Sequence, residues 1–414
     1  MNTLEKPIHN NSEIGTLRSV LLHRPGGELE NLTPDTMAEL LFDDVPYLRE
    51  ARREHDAFAN VLRTRGAEVL YLDQLAIEAL ADNEVRKAFT GEMIEGSGIE
   101  GLRTRARVAS HLADMTTHDM VWKVMQGIRK DELPGGDDEF QLVRLATDRT
   151  LPFHLAPMPN LYFTRDPAAA IGDGLTINHM RFPARQRESL FMRYIVSHHP
   201  RFAKSGVKVW YDREQPYAVE GGDELVLSDR VMAIGMSQRT SPQAVEMIAR
   251  ELFDRSTFDT VIGVEIPDSR AFMHLDTVFT MVGPNSFSIH PEVRAGSNAM
   301  KLYVMKKRGE HGDMAISEES DLTKVLCDTL GLDGVQLIEC GAGDPIAAAR
   351  EQWNDGSNTL AIAPNVVVTY DRNTVTNRAL RESGIEVIEV PSGELSRGRG
   401  GPRCMSMPLV RDDV

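Results

Sequence analysis

The sequence has few cysteines and no long apolar run, and both shortages narrow the possible functions. Its three cysteines are an odd number and lack the spacing of metal ligands, which favours reduced thiols in a cytosolic protein. No apolar run approaches the roughly 20 residues that cross a bilayer, and no basic-then-apolar signal segment stands at the N-terminus. We therefore expect a cytoplasmic protein without a membrane partner.

Positive charge is also scarce. The chain has 46 Lys and Arg residues against 62 Asp and Glu residues, which gives a formal net charge of −16. This excess of negative charge argues against nucleic acid or an anionic membrane surface as the main partner, and it is compatible with a small cationic substrate. The 414 residues, 41% hydrophobic and 26% charged, are enough for one large globular domain and a smaller one.

A helix that returns into an apolar strand recurs along the chain, usually with a glycine at the junction. The five strand segments are Gly66–Tyr71, Gly206–Tyr211, Phe258–Val264, Gly334–Glu339 and Gly384–Glu389. Paired apolar runs around turn residues predict β-hairpins at Ala168–Asn178, Leu225–Gly235, Phe279–His290 and Thr359–Thr369. The copies are irregularly spaced, so we expect an α/β fold of repeated units, which a closed ring would allow to bury their sheet edges.

A long helical stretch follows the first repeat strand. Helical spacing is present in Leu75–Leu80, Ile99–Leu112 and Met120–Ile128. A stretch of this length without structure would be improbable within a compact domain. We therefore expect a helical insertion domain at residues 74–149 and a main α/β domain made of residues 1–73 and 150–414.

Each repeat has a polar segment associated with it, and the one that matches the first repeat lies beyond the helical stretch. The segments are Pro159–Pro167, Val219–Glu224, Met273–Thr277, Ala349–Gly356 and the loop around Cys404. If the units surround an axis, these segments converge on one site.

Cys404 lies in a glycine-rich loop, and three arginines stand within seven residues before it. Nearby cations lower the pKa of a thiol, so we predict that Cys404 is a thiolate near neutral pH and therefore a strong nucleophile. The alternative is a buried structural cysteine. We assign that alternative to Cys327, in an apolar helix, and to Cys340, at the end of a strand.

His274 and Glu220 are candidates for acid–base chemistry. His274 stands two residues before Asp276, and in an extended segment such residues point to the same face. We expect Glu220 to hydrogen-bond His274 and to raise its pKa, so that the imidazole can donate a proton. The alternatives are a structural histidine and a plain turn at Glu220.

Asp166 and Asp276 would suit a planar substrate with forked N–H donors, because guanidinium pairs with carboxylate through two parallel hydrogen bonds. A metal site and a glycosidase pair remain alternatives. The first lacks a His/Cys ligand cluster, and the second leaves Cys404 without a role. Arg185, Arg239 and Arg399 are candidates for an anionic end of the substrate, with a solvated surface position as the alternative for each.

Six segments carry a resemblance that covers nearly the whole chain. They are Asn160–Asp166, Glu220–Asp223, His274–Phe279, Glu351–Gly356, Tyr370–Thr374 and Arg397–Met405. Together with Leu41–Asp44 and the helical insertion, they resemble the arginine deiminase family. The resemblance implies the fold of the guanidino-group-modifying enzymes, a pseudo-fivefold α/β propeller of ββαβ-type repeats.

The resemblance also implies roles for the site residues. Cys404 resembles the family's nucleophile, His274 its general acid/base and Glu220 the carboxylate that holds the histidine. Asp166 and Asp276 resemble the pair that grips the guanidinium. The residues that resemble the family's α-carboxylate contacts or pocket-shaping groups are Asn160, Arg185, Arg239 and Arg399, with Phe163 as a wall and Leu41 in a gate. The resemblance assigns no role to Arg403.

The implied reaction is hydrolysis of L-arginine to L-citrulline and ammonia through a covalent thiouronium on the cysteine, with no metal and no organic cofactor. Agmatine deiminase, arginine amidinotransferase and methylated-arginine hydrolase are rival activities of related enzymes. A catalytically inactive binding protein and a metal-dependent hydrolase are the alternatives from other classes. By analogy with relatives, we expect a homo-oligomer, either a dimer or a tetramer.

Overall fold

The computed structural model describes residues 6–99, 101–133, 152–267, 271–294, 299–309 and 312–414. These residues form a mixed α/β fold in which small mixed sheets alternate with helices. No helix within the described residues is long and apolar enough to cross a membrane.

The helices are numbered here in chain order. They are α1 Leu48–Thr64, α2 Leu72–Ala79, α3 Asn83–Glu95, α4 Leu102–Ala113, α5 Thr117–Gln126, α6 Pro183–Gln186, α7 Glu188–His198, α8 Pro200–Ala203, α9 Pro242–Arg255, α10 Leu275–Val278, α11 Pro291–Arg294, α12 Leu322–Leu330, α13 Pro345–Gln352 and α14 Thr374–Glu382.

The strands follow the same convention. They are β1 Leu17–Leu22, β2 Glu68–Tyr71, β3 Ile128–Arg129, β4 Phe153–Leu155, β5 Ala168–Ile171, β6 Gly174–Ile177, β7 Lys208–Tyr211, β8 Glu224–Val226, β9 Val231–Met236, β10 Thr260–Glu265, β11 Phe279–Gly283, β12 Ser286–Ile289, β13 Lys301–Lys307, β14 Met314–Glu319, β15 Gln336–Glu339, β16 Leu360–Ala363, β17 Val366–Tyr370, β18 Glu386–Val390 and β19 Met407–Arg411.

Five sheets share one internal order: an antiparallel pair, then a helix, then a third strand parallel to the second. The sheets β5–β6–β7, β11–β12–β15 and β16–β17–β18 have this order and consist of three strands each. The sheet β8–β9–β10 has it too and is extended by β13 and β14. The four predicted hairpins and the five predicted repeat strands are thereby confirmed.

The fifth sheet joins the two ends of the chain. Strand β19 runs antiparallel to β1, and β1 runs parallel to β2 after helix α1. Arg18 and Asp412 form an ion pair beside this sheet, although 394 positions separate them in the sequence. The loop of Cys404, which directly precedes β19, is thus anchored to the first strand of the chain.

Local sequence signals explain where the helices begin and end. Helix α9 starts at Ser241, whose hydroxyl accepts a hydrogen bond from the amide of Ala244, and Pro242 occupies the first turn. Helix α1 buries one face, including Phe58, and is followed by Gly66 at φ +89°, where a left-handed backbone turns the chain into β2.

Within the predicted helical insertion, helices α2, α4 and α5 confirm the three predicted helical segments, although α2 begins at Leu72 and Ile128 belongs to strand β3. The insertion also contains helix α3, which was not predicted. Its apolar side chains belong to the same hydrophobic cluster as those of α7 and β6, and Phe89 lies 5.3 Å from Phe191 between ring centroids. The predicted boundary after residue 149 lies outside the described residues. The division into two domains therefore stays a prediction.

Candidate active site

Each predicted polar segment directly precedes the first strand of one of the five sheets. Asp166 stands before β5, Glu220 before β8, His274 before β11 and Cys404 before β19. The segment Glu351–Gly356 likewise precedes β16. Because the five sheets share one order, these segments occupy equivalent positions in each repeat, and four of them meet around one buried cavity.

The cavity has a volume of about 20 Å³, room for about one water molecule. It is lined by Leu41, Asn160, Phe163, Asp166, Arg185, Arg239, Met273, His274, Thr277, Gly398, Arg399 and Cys404. Nine of the eleven residues predicted for the site are in this lining, while Glu220 and Asp276 stand behind it. Met273, Thr277 and Gly398 were not predicted, although each lies within a segment that the sequence singled out.

His274 is held by Glu220 as predicted. Its Nε2 lies 2.9 Å from Glu220 Oε2, and both side chains are buried. Gly222 packs so closely against the ring that an added Cβ would lie 2.6 Å from Nδ1. Burial alone would lower the pKa of His274, but the negative charge of Asp166 and the hydrogen bond to Glu220 outweigh it and raise the pKa to about 9. The imidazole is therefore a proton donor at neutral pH.

The expected reason for the proximity of His274 and Asp276 is wrong. His274 is extended, at φ −137° and ψ 163°, but Asp276 lies in the single turn of helix α10, so the two-residue repeat of a strand does not apply. The turn is fixed from outside, because the Leu275 amide donates to Asp223 Oδ1 at 2.8 Å. Asp276 instead faces the thiol, with its Oδ2 3.6 Å from Cys404 Sγ.

The predicted lowering of the pKa of Cys404 is also wrong. Burial and the negative charges of Asp276 and Asp166 raise the pKa of Cys404 well above its usual range, and Arg403 opposes them only in part. The three arginines of the loop do not act as free cations, because each faces acidic or aromatic groups. Arg397 pairs with Asp44 and Glu394, Arg399 lies over the Trp353 ring and near Asp43, and Arg403 pairs with Glu13 and Asp276.

Asp166 and Asp276 present equivalent oxygens to the site. Asp166 Oδ2 accepts a hydrogen bond from Arg185 at 2.6 Å, and Asp276 Oδ2 accepts one from Arg403 at 2.8 Å. Within the described residues, Oδ1 of each carboxylate is buried and has no hydrogen-bond partner. A buried acceptor without a partner is unfavourable, so both oxygens are suited to receive N–H donors from a ligand.

The remaining predicted residues lie around the same cavity. Arg239 donates to Glu220 Oε2 at 3.1 Å and lies over the Phe182 ring. Arg185 is clamped by Glu188 through hydrogen bonds of 2.8 to 3.2 Å. Asn160 donates to the carbonyl of Leu40 at 2.8 Å, next to Leu41, which has a positive φ of 63°. Their roles toward a substrate stay predictions.

The alternative of a metal site has a geometric basis. Asp166, Glu220 and His274 each offer a ligand atom, and these atoms lie within 4.8 Å of one another. The guanidinium groups of Arg185 and Arg239 already bind the two carboxylates, so a divalent cation would meet positive charge on both sides. The arrangement favours a protonated imidazole over a metal ligand.

Comparison with known proteins gives a family match over most of the chain. A family model described as arginine deiminase matches residues 38–411. The arginine deiminase of Oenococcus oeni is 54% identical over 415 residues, covering 100% of both chains. That of Latilactobacillus sakei is 54% identical and that of Bacillus cereus strain B4264 53% identical, each over 99% of this chain and 100% of the relative.

Solved structures with the same mixed α/β fold are more distant in sequence. DDAH from Pseudomonas aeruginosa, in complex with citrulline, has a TM-score of 0.52 at 16% identity and covers 95% of this chain and 99% of its own. The amidinotransferase SxtG from Microseira wollei has a TM-score of 0.58 at 13% identity and covers 99% of this chain and 98% of its own. At these identities, the likeness shows the fold alone.

Proposed function

This chain belongs to the arginine deiminase family, and on that premise we propose how its residues hydrolyse L-arginine to L-citrulline and ammonia. One arrangement carries the proposal: the Oδ1 atoms of Asp166 and Asp276, which have no hydrogen-bond partner among the described residues, lie in the same buried site as the Cys404 thiol and the His274 imidazolium. His274 Nδ1 is 3.8 Å from Asp166 Oδ1. A guanidinium with its forked N–H donors fits between two such carboxylates, and its carbon then lies beside the thiol.

The substrate itself completes the activation of Cys404. Burial, together with the negative charge on Asp276 and Asp166, raises the pKa of the thiol well above its usual range, so the thiol is protonated at neutral pH. A bound guanidinium neutralises that charge and lowers the pKa of the thiol. The thiol lies 3.6 Å from Asp276 Oδ2, so neutralising this carboxylate acts directly on the thiol, whose proton passes to bulk water as the substrate binds. The nucleophile is thus formed only where its target is present.

The chemical steps then follow from the positions of Cys404 and His274. The thiolate attacks the guanidinium carbon, and His274 protonates the departing amine, which leaves as ammonia. A thiouronium remains on Cys404. The neutral imidazole takes a proton from water, and the hydroxide attacks the same carbon. Collapse of this intermediate breaks the C–S bond, the hydroxyl proton passes to the departing Cys404 sulfur, and citrulline is released. His274 ends protonated, as it began.

The far end of the substrate is assigned to the cationic side of the cavity. We place the α-carboxylate near Arg185, Arg239 and Arg399, with Asn160 beside them and Phe163 as the wall along the aliphatic chain. A cavity of about 20 Å³ is too small for arginine, so the segment of Leu41 has to move for entry. The hydrogen bond from Asn160 to Leu40 is the contact that this movement would break.

The reaction is tested by incubating the purified protein with L-arginine, with and without a chelator, and with agmatine in parallel. We expect equal amounts of citrulline and ammonia from arginine, no effect of the chelator, and little turnover of agmatine, which lacks the α-carboxylate. Turnover of agmatine alone would reject the assignment of the three arginines. Product formed only with an amine acceptor would indicate an amidinotransferase, and loss of activity with the chelator would indicate a metal-dependent hydrolase.

Activity should fall as pH rises through about 9. The folded-state pKa of His274 is raised to about 9, so the imidazolium that donates to the leaving amine is present below this pH and is lost above it. The measurement is the pH profile of kcat/KM for L-arginine.

The Glu220→Gln variant provides the comparison for the pH profile. The amide lacks the charge that raises the pKa of His274, so the fall in activity should move to lower pH. If activity fell at the same pH in both proteins, the fall could not be assigned to the titration of His274.

We also propose that the five sheets of shared order form a pseudo-fivefold α/β propeller, with residues 74–149 as a helical insertion domain and residues 1–73 and 150–414 as the catalytic domain. The repeated order of hairpin, helix and parallel strand supports this arrangement. We further propose a cytoplasmic homo-oligomer, a dimer or tetramer. Light scattering that gives the mass of a single chain at working concentrations would reject the oligomer.

A further inference from the structure

We propose that Arg403 and Glu13 are positioning residues, which hold the Asp276 carboxylate ionised and aim its free oxygen at the guanidinium. The inference deepens the proposed function and rests on it, since it concerns how one of the two gripping carboxylates is kept ready. The family resemblance assigns no role to Arg403, and no motif or spacing in the sequence points to Glu13.

Hydrogen-bond acceptors surround the guanidinium of Arg403 on three sides. Nε and NH2 donate to the two oxygens of Glu13 at 3.0 and 3.1 Å, and NH2 also donates to the Glu224 carbonyl at 2.8 Å. NH1 donates to Asp276 Oδ2 at 2.8 Å. The side chain is 1% exposed and is not part of the cavity lining. It reaches the substrate only through Asp276.

Glu13 is itself fixed and ionised. Its Oε1 also accepts a hydrogen bond from the amide of Val226 at 3.2 Å. Burial would raise the pKa of Glu13, but the positive charges of Arg403 and Arg165 outweigh it and lower the pKa to about 2. Because Nε and NH2 of Arg403 pair with the two carboxylate oxygens of Glu13, the planar guanidinium is held in one orientation. In this orientation NH1 points at Asp276.

The second gripping carboxylate has the same construction. Asp166 Oδ2 accepts from NH1 of Arg185, whose Nε and NH2 are in turn bound by the carboxylate of Glu188. In both triads, the arginine takes Oδ2, and Oδ1 has no hydrogen-bond partner among the described residues, although His274 Nδ1 lies 3.8 Å from Asp166 Oδ1. Two separate parts of the chain therefore form the same arrangement, in which a glutamate holds an arginine and the arginine orients an aspartate. Arg185 lines the cavity, whereas Arg403 acts from behind.

The charge of Arg403 matters because Asp276 is fully buried. Burial raises the pKa of Asp276, and Arg403 is the strongest influence that lowers it again. Among the described residues, the other charged or titratable groups that face this carboxylate or the thiol beside it include His274, Asp166, Asp355, Arg165, Cys404, Tyr162 and Tyr370. Without Arg403, Asp276 would keep a proton to higher pH, and a neutral acid grips a guanidinium poorly.

The test compares the double variant Glu13→Gln/Arg403→Met with Arg403→Lys. The double variant removes both buried charges together, which avoids leaving one of them unpaired. We expect its kcat/KM for L-arginine to fall by at least about 30-fold and the acid limb of its pH profile to move to higher pH. Arg403→Lys keeps the positive charge but lacks the two parallel N–H donors of the guanidinium. This variant should therefore lose activity, while the acid limb of its pH profile stays near that of the wild type.

Alkylation of Cys404 by iodoacetamide supplies a readout that needs no turnover. Arg403 is the one cation among the main influences on this thiol, so its removal should move the pH midpoint of alkylation upward. Arg18→Met is the matched control, because it breaks an ion pair at the same junction of the chain ends but outside the site.

Two outcomes are distinguished. A folded double variant with an unchanged acid limb, an unchanged alkylation midpoint and kcat/KM within about threefold of the wild type would overturn the positioning role. A wild-type protein that makes no citrulline would overturn the proposed function instead, and the alkylation midpoints would still decide whether Arg403 acts on the site.

Discussion

Replacing Cys404 by alanine should abolish citrulline formation, lowering kcat by about 10⁴- to 10⁶-fold. The substitution removes the sulfur that attacks the guanidinium carbon, and no group of comparable nucleophilicity stands among the residues that line the cavity. The fold should survive, since Cys404 is small and its backbone amide keeps its hydrogen bond to Asn358. The measurements are citrulline formation and the melting temperature, which we expect to change by no more than about 4 °C.

Cys327→Ala is the matched control for that experiment. Cys327 is half-buried on helix α12 and lies far along the chain from the site segments, so its replacement should leave turnover unchanged. Turnover retained in Cys404→Ala would reject the covalent mechanism, and equal loss in both variants would indicate damage to the fold rather than to the chemistry.

The second large effect is expected from Asp166→Asn. The amide keeps the shape of the side chain but lacks the charge that pairs with the guanidinium, and loss of one partner of a buried charge pair costs about 2–5 kcal/mol. We therefore expect kcat/KM for L-arginine to fall by at least about 30-fold. Arg185 keeps its other partner, Glu188, so the fold should hold. Steady-state kinetics at the pH optimum of each protein provide the measurement.

Asp229→Asn is the control for this substitution. Asp229 is exposed in the turn between β8 and β9, where a change of charge should alter kcat/KM by less than about twofold. An equal fall of kcat/KM in the two variants would show a general effect of charge. An unchanged kcat/KM in Asp166→Asn would show that this carboxylate does not bind the guanidinium.

The architecture was largely predictable because its signals are local. Alternating apolar residues around tight turns gave the hairpins, and a glycine after helix α1 placed the start of β2 to within two residues. The polar segments could be assigned to one site because they recur at equivalent positions of a repeat. Helix α10 escaped prediction because a single turn has too few residues to show a helical period.

The protonation state of Cys404 could not be predicted from local sequence signals. Three arginines near Cys404 suggested a lowered pKa, but apart from Glu394, which pairs with Arg397, the groups that face these arginines come from distant parts of the chain. Glu13 and Arg403 are separated by 390 positions. Neither spacing nor composition reveals such a pair. The electrostatic state of a buried thiol depends on contacts that only the folded chain brings together.

The sheet that joins β1 to β19 has a consequence for how activity arises during synthesis. A chain is made from its N-terminus, so β1 and Glu13 emerge long before their partners on β19 and Arg403 exist. Contacts of such long sequence separation are slow to form. A nascent chain has neither its nucleophile nor the β1–β19 pairing until residues 404–411 have been made, so it is catalytically inactive until then.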